Sequence, residues 1–307
     1  GALSFQGKMW LIGGWNPNPA QRAFFPLICN NEVWNSSNGK TWNLIKPNSF
    51  KDASFDKKAD WEGRHTAGYA VFRDHMWIVG GDANQKRYQN DVWKSADGRN
   101  WELLNREKPV PWGPRVLHYT VVHDDQIWVI GGQTMPGFVA SETKEIFYRD
   151  VWTTRDGVVW KELKPVEPCW SARGMIGGAA VFRGRIWILG GGTYNTPQTP
   201  TRKFHNDVWS SADGVHWKRH VETAPWAPRQ YHDVAVWDDR LWVMEGYNKA
   251  GGNRNDVWHS PNGVNWREVP DTPWKPRHAA SVFVHAGSLW MVAGNNMQSD
   301  VWRLRRK

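Results

Sequence analysis

One all-β domain spanning residues 1–307, a six-bladed β-propeller of four-stranded antiparallel blades, is predicted by three observations. Tryptophan is several-fold over-represented, at 24 of 307 residues. All but two of these tryptophans fall into four periodic classes, so one unit of about fifty residues recurs six times and leaves no room for a second domain. Finally, the unit contains short alternating or apolar runs bounded by turn residues, and nowhere ten residues of helical period. The first blade is expected to be truncated at its inner strand and the last to lack its own outer strand.

The first class follows an acid–Val pair: Trp34, Trp93, Trp152, Trp209, Trp258 and Trp302. The second lies eight residues later, past a turn: Trp42, Trp101, Trp160, Trp217 and Trp266. The third precedes an arginine by three residues: Trp61, Trp112, Trp170, Trp226 and Trp274, with Arg64, Arg115, Arg173, Arg229 and Arg277. The fourth lies in an apolar run that usually ends in glycines: Trp10, Trp77, Trp128, Trp187, Trp242 and Trp290. Only Trp15 and Trp237 remain. In the second copy the strands are read as 65–72, 76–79, 91–95 and 101–104, with Asp97-Gly98 as a type I′ hairpin turn. Closing such units into a ring removes exposed edges, and bulky indoles fill the wedge that widens away from the axis.

The glycine pairs after an apolar strand (Gly13-Gly14, Gly80-Gly81, Gly131-Gly132, Gly190-Gly191), followed by two spaced aromatics, resemble the kelch repeat over the whole chain. The first aromatic is Trp where kelch usually has Tyr, and the pair decays to Glu245-Gly246 and Ala293-Gly294 in the last two copies. The turn at 95–98 and 211–214 is similar to the sialidase Asp-box but one residue short, so no sialidase chemistry is carried over. Arginine to glycine-pair position is 16 residues, or 17 in copy four, which would place a first arginine before residue 1. In kelch-like rings an N-terminal segment commonly completes the last blade. Here such a segment is expected to have been removed, together with any secretory signal, or another segment fills the gap.

Composition excludes several classes. With 40% hydrophobic and 22% charged residues the chain can build a core, and no apolar run is long enough to span a membrane. Cys29 and Cys169 make neither a disulfide framework nor a cysteine-based zinc site. No metal, cofactor or nucleic-acid motif is found, and the regular tryptophans read as structural rather than base-stacking. A monomer in an extracellular or periplasmic setting is expected.

Loop lengths point to one face. The second-to-third and fourth-to-first connections vary widely between copies, while the other two are nearly constant. The variable pair emerges on one side and is expected to form the binding face. The five arginines fall near the channel mouth there, where guanidinium forks suit carboxylate, sulfate or phosphate. The alternative is that they are sequestered by backbone or by acids. Long loops add Trp15, Arg22, Phe24 and Phe25 in copy one, Phe138, Phe147 and Tyr148 in copy three, and Tyr194, Arg202, Phe204 and His205 in copy four; Tyr88 and Tyr247 complete the candidate ligand-binding aromatics. These suit a sugar ring, or they pin the loops.

The candidate proton-moving residues are Glu245, His118 and His232. The two histidines each lie three residues after an arginine and are expected to project into the channel mouth; His65 and His278 follow their arginines directly and are expected to point elsewhere. Glu245, at a glycine position, is expected to pair with a ring arginine unless it serves as a base. The net charge of +9 favours an anionic partner only weakly. Two classes of function remain: a module binding an acidic glycan, sugar acid or acidic peptide, or an isomerase similar to the kelch-type sialic acid mutarotases. A protein–protein scaffold is a further alternative. For a copper enzyme of the galactose oxidase kind no Tyr/His/Cys constellation can be matched.

Overall fold

The computed structural model describes residues 1–15, 29–50, 52–83, 87–106, 108–134, 145–174, 177–195, 199–295 and 298–306. They form seven antiparallel sheets: six blades, and a two-stranded ribbon of Tyr247–Asn248 with Gly252–Asn253 inserted between the second and third strands of blade 5. Blade 1 comprises Ala2–Phe5, Lys8–Trp15, Cys29–Ser36 and Asn43–Lys46. Blade 2 comprises Gly68–Phe72, His75–Ala83, Arg87–Ser95 and Glu102–Leu103, with the short strand Arg64–His65 added. Blades 3 and 4 run Tyr119–His123, Gln126–Ile130, Val151–Thr154, Trp160–Leu163 and Ala179–Phe182, Arg185–Thr193, Lys203–Ser211, Lys218–Val221. Blade 5 comprises Asp233–Trp237, Arg240–Met244, Val257–Ser260 and Arg267–Val269, and blade 6 only Ser281–His285, Ser288–Val292 and Val301–Leu304. The inner strands touch neighbour to neighbour around the whole circle, that of blade 6 meeting that of blade 1. The protein is therefore a six-bladed propeller with an irregular first and last blade.

The hydrophobic core lies between blades. One cluster joins Trp187, Leu189 and Val208 of blade 4 to Leu241 and Val243 of blade 5 through the linker indole Trp226. Tryptophans of the fourth and second classes are fixed by their ring nitrogens. Trp77 donates to the Phe72 carbonyl at 2.8 Å, and Trp101 to that of Gly98 at 3.0 Å. Trp237, outside the classes, stands where blades 1, 2 and 4 have Phe5, Phe72 and Phe182, and packs on Trp242 at 5.2 Å between centroids.

The turn chemistry differs from expectation. At Asp97-Gly98 only the glycine has positive φ, +74°, so the turn is not type I′. Side chains brace it instead: Asp97 Oδ1 accepts from the amides of Arg99 and Asn100, both at 2.8 Å, and Ser95 Oγ accepts from Gly98. Paired positive φ values occur at the inner hairpins, as at Arg73-Asp74 and Asp124-Asp125, whose strands close without Asn-Gly.

Candidate functional site

The five arginines are structural braces. Arg115 grips Asp150 with both terminal nitrogens, at 2.6 and 2.9 Å, and donates to the Gly131 carbonyl at 3.0 Å and the Gly113 carbonyl at 3.3 Å. Tyr148 covers the guanidinium, 3.7 Å from its ring centroid. The pattern repeats in Arg64–Asp91, Arg173–Asp207, Arg229–Asp256 and Arg277–Asp300. Each aspartate is the acid of the acid–Val–Trp motif and also accepts from that tryptophan's indole, as Asp150 does from Trp152 at 2.7 Å. At most 2% of any of these arginine side chains reaches solvent. Of the two readings of these arginines, sequestration by backbone and acids is the one observed: every fork is filled by a carboxylate.

His118, His232 and Glu245 occupy seams between blades. His118 Nε2 meets the Val79 carbonyl of blade 2 at 3.1 Å, and His232 Nε2 that of Leu189 in blade 4 at 2.8 Å. Both imidazoles are fully buried, and burial, aided by the adjacent Arg115 and Arg229, lowers each to about 3, so both are neutral. Glu245 fills the next seam. Its Oε1 accepts from the Ala280 amide of the linker into blade 6 at 2.9 Å, and its carboxyl hydrogen-bonds Asp233 rather than a ring arginine, which corrects the expected pairing. Burial first, and then the neighbouring Asp233 carboxyl, hold Glu245 well above the usual carboxylate range. The seam partners are matched in size: where blade 2 has Gly80 the next inserts His118, and where blade 5 has Glu245 the next has Ala280. None of the three residues lines the axial cavity.

That cavity, about 910 Å³, runs along the axis to the variable-loop face. His65 and His278, expected to point elsewhere, both line it. The reason is local. The residue two after the arginine is left-handed at Thr66, Leu117, Tyr231 and Ala279, with φ between 51° and 63°. Such a residue breaks strand alternation, so the side chain before it turns to the axis and the one after it to the seam.

At the mouth, Trp15 lies over His65, centroids 6.4 Å apart and planes inclined by 27°, with 39% of its surface exposed. His65 Nδ1 is 2.6 Å from Asp82 Oδ1, whose carboxylate is wholly buried. Burial opposes the imidazolium, but Asp82 outweighs it and raises His65 to about 10. Behind Tyr194 of the cavity wall, Arg202, which does not itself line the cavity, stacks on the Tyr194 ring at 3.8 Å, reaches toward Tyr247 at 6.0 Å, and donates Nε to Asn195 at 2.8 Å. Among the described residues its terminal nitrogens have no hydrogen-bond partner and no carboxylate. His278 packs on Tyr231 and Tyr247, and burial followed by Arg202 lowers it to about 4. Asn30 and Asn295 add polar groups to the wall.

Of the aromatic candidates, Trp15 and Tyr194 line the cavity, Tyr247 packs on its lining residue His278, Tyr148 covers Arg115, and Tyr88 is buried. Arg22, Phe24, Phe25 and Phe138 lie outside the described residues. His65 and Arg202 are the cations that loop length and motif spacing did not single out as the charge at the mouth. No group of His, Cys, Asp and Glu suited to a metal ion occurs among the described residues, and no helix is long and apolar enough to cross a membrane. The chain matches no protein-family model and no curated protein.

Proposed function

We propose that the propeller is a binding module whose axial cavity takes an acidic sugar, a sugar acid or the acidic end of a glycan. The observation that carries this reading is the half-open Trp15 face set over a charged His65 in a cavity whose wall includes Tyr194, the ring on which Arg202 stacks with its terminal nitrogens unpartnered among the described residues. A pyranose presents a C–H face to an indole and its hydroxyls to amides such as Asn30 and Asn295. The carboxylate goes to Arg202, whose fork is pre-oriented by Tyr194 and Asn195. An isomerase is disfavoured, because a proton donor or acceptor must come within hydrogen-bond reach of the atom it serves, and Glu245, His118 and His232 are walled into seams.

The test is calorimetric titration with matched neutral and acidic monosaccharides. Tighter binding of the acidic member, lost in Arg202→Ala while weak neutral-sugar binding survives, supports the proposal. Equal affinity for both sugars, or an unchanged Arg202→Ala profile, overturns it.

A further inference from the structure

The position after the arginine carries histidine in two blades, and their surroundings give the two rings opposite chemistry. His65 follows Arg64 and meets Asp82, the residue after the Gly80-Gly81 pair. His278 follows Arg277 and meets Asn295, the residue after Ala293-Gly294, together with Asn253 of the ribbon inserted in blade 5. A carboxylate holds the first ring, and two amides hold the second.

The amides fix which nitrogen of His278 carries the proton. The backbone N–H of His278 can only donate, and Asn295 Oδ1 accepts from it at 2.9 Å. That same oxygen meets Asn253 at 3.2 Å, so the Asn253 atom facing it is the donor Nδ2. Asn253 therefore turns Oδ1 toward His278 Nδ1, 2.7 Å away, and Nδ1 is the donating nitrogen. With the ring neutral, Nε2 keeps its lone pair and is a hydrogen-bond acceptor. The ring lines the axial cavity, and among the described residues nothing donates to Nε2. Asn295 also lines the cavity. Its Oδ1 is taken twice, and among the described residues its Nδ2 has no acceptor.

We propose that His278 is a specificity-determining residue of the cavity: its Nε2 accepts a hydrogen bond from a hydroxyl of the ligand, with Asn295 Nδ2 as the companion donor. This rests on the reading of the cavity as a site for an acidic sugar and narrows it. His65, charged through Asp82, and Arg202 can only donate, so they select for anionic charge. His278 selects for a hydrogen to be given away. Sulfate or a plain carboxylate satisfies the cations but offers nothing to Nε2, whereas a polyhydroxylated acid satisfies both.

Nitrogen-15 NMR and calorimetry on the intact protein test the proposal, with glucuronate and glucose as probes. The His278 signals, identified by their loss in His278→Phe, are expected to show a protonated Nδ1 and an unprotonated Nε2, and the Nε2 resonance is expected to shift on adding glucuronate. His278→Phe keeps a ring against Tyr231 and Tyr247 but is expected to weaken both sugars by roughly tenfold, because both carry hydroxyls. Arg202→Ala, in contrast, weakens glucuronate alone. Asn253→Asp retains the imidazole and sets a carboxylate against Nδ1, as Asp82 does for His65. It is expected to protonate Nε2, to weaken glucose by a similar factor at about pH 6, and to restore the affinity as the ring deprotonates at higher pH. A ring with a merely structural role would not tie sugar affinity to its own protonation, and this variant keeps the test available if His278→Phe does not fold. A protonated Nε2 in the parent, or sugar affinities within about twofold of the parent in His278→Phe and Asn253→Asp, overturns the proposal. If neither sugar binds the parent, the reading of the cavity falls and this proposal with it. Glucuronate binding that depends on Arg202 but not on His278 overturns this proposal alone.

Discussion

Gly98 of blade 2 lies flat against the Trp10 ring of blade 1, so closely that a β-carbon there would stand 2.5 Å from Trp10 Cζ3. Gly157 on Trp77, Gly214 on Trp128, Gly263 on Trp187 and Gly39 on Trp290 repeat the contact, the last one closing the ring from blade 6 to blade 1. Gly98 also sits at φ +74°. Gly98→Ala therefore combines left-handed strain with a clash that the packed indole cannot relieve, and is expected to lower stability by roughly 2–4 kcal/mol. Gly184→Ala is the control. Its φ is +67° but no atom lies within 4 Å of the new carbon, so only the backbone strain of about 1 kcal/mol remains. Urea midpoints with unchanged m-values distinguish the two.

The Arg115–Asp150 brace is expected to be costly to halve. Asp150→Ala leaves a guanidinium with no counter-charge under Tyr148, and also strips the acceptor from the Trp152 indole. A loss of about 3 kcal/mol is expected, the low end for a buried pair because 22% of the Asp150 side chain is exposed. Arg115→Met combined with Asp150→Leu removes both charges and is expected to cost less than Asp150→Ala alone. At the exposed Arg73–Asp125 pair the same urea measurement is expected to show no change on Arg73→Ala.

The ring was legible because its cause is periodic: each blade needs the same indoles at the same depth, and spacing records depth. The arginine braces were less legible, because the partners are joined through the loops that vary. Arginine-to-aspartate separations are 27, 35, 34, 27 and 23 residues, so no fixed interval ties them. The signal available was stoichiometric. Every copy with a Trp-x-x-Arg also has an Asp-Val-Trp, and the copy without the arginine has Glu32 in place of the aspartate. The directions of His65 and His118 were not legible at all. They depend on left-handed backbone at Thr66 and Leu117, residues whose type argues against positive φ. Arg202 stood out only once Tyr194 and Tyr247, distant in sequence, bracketed it.

Trp15 separates binding from folding. With 39% of its surface exposed and its ring resting on one histidine, it adds little to the core. Trp15→Ala is expected to change stability by no more than about 0.5 kcal/mol. It is expected to weaken an acidic monosaccharide by about tenfold through loss of the stacking face. Parallel calorimetry and urea unfolding check this. A large stability loss with intact sugar affinity would make the indole a loop anchor instead.

His65 makes the alkaline limb of the stability curve a readout of the mouth. Burial alone would lower its pKa, but Asp82 at 2.6 Å reverses the sign and brings the folded value to about 10. In the unfolded chain it titrates near its usual value of about 6.5. Below that pH both states carry the proton and the pair's contribution is fully present. Between about 6.5 and 10 the folded state holds a proton that the unfolded state has released, so the contribution falls as pH rises. His65→Gln abolishes this dependence. The stability gap between parent and variant is therefore expected to be a few kcal/mol near pH 6, on the order set by a shift of this size, and to shrink steadily toward pH 9.5. Because the Cys29 thiol lies 3.5 Å from His65 Nδ1, the comparison is made in a Cys29→Ser background. A gap that stays constant across this range would mean that His65 carries no extra proton in the folded state, and would remove one of the two cations on which the proposed anion site rests.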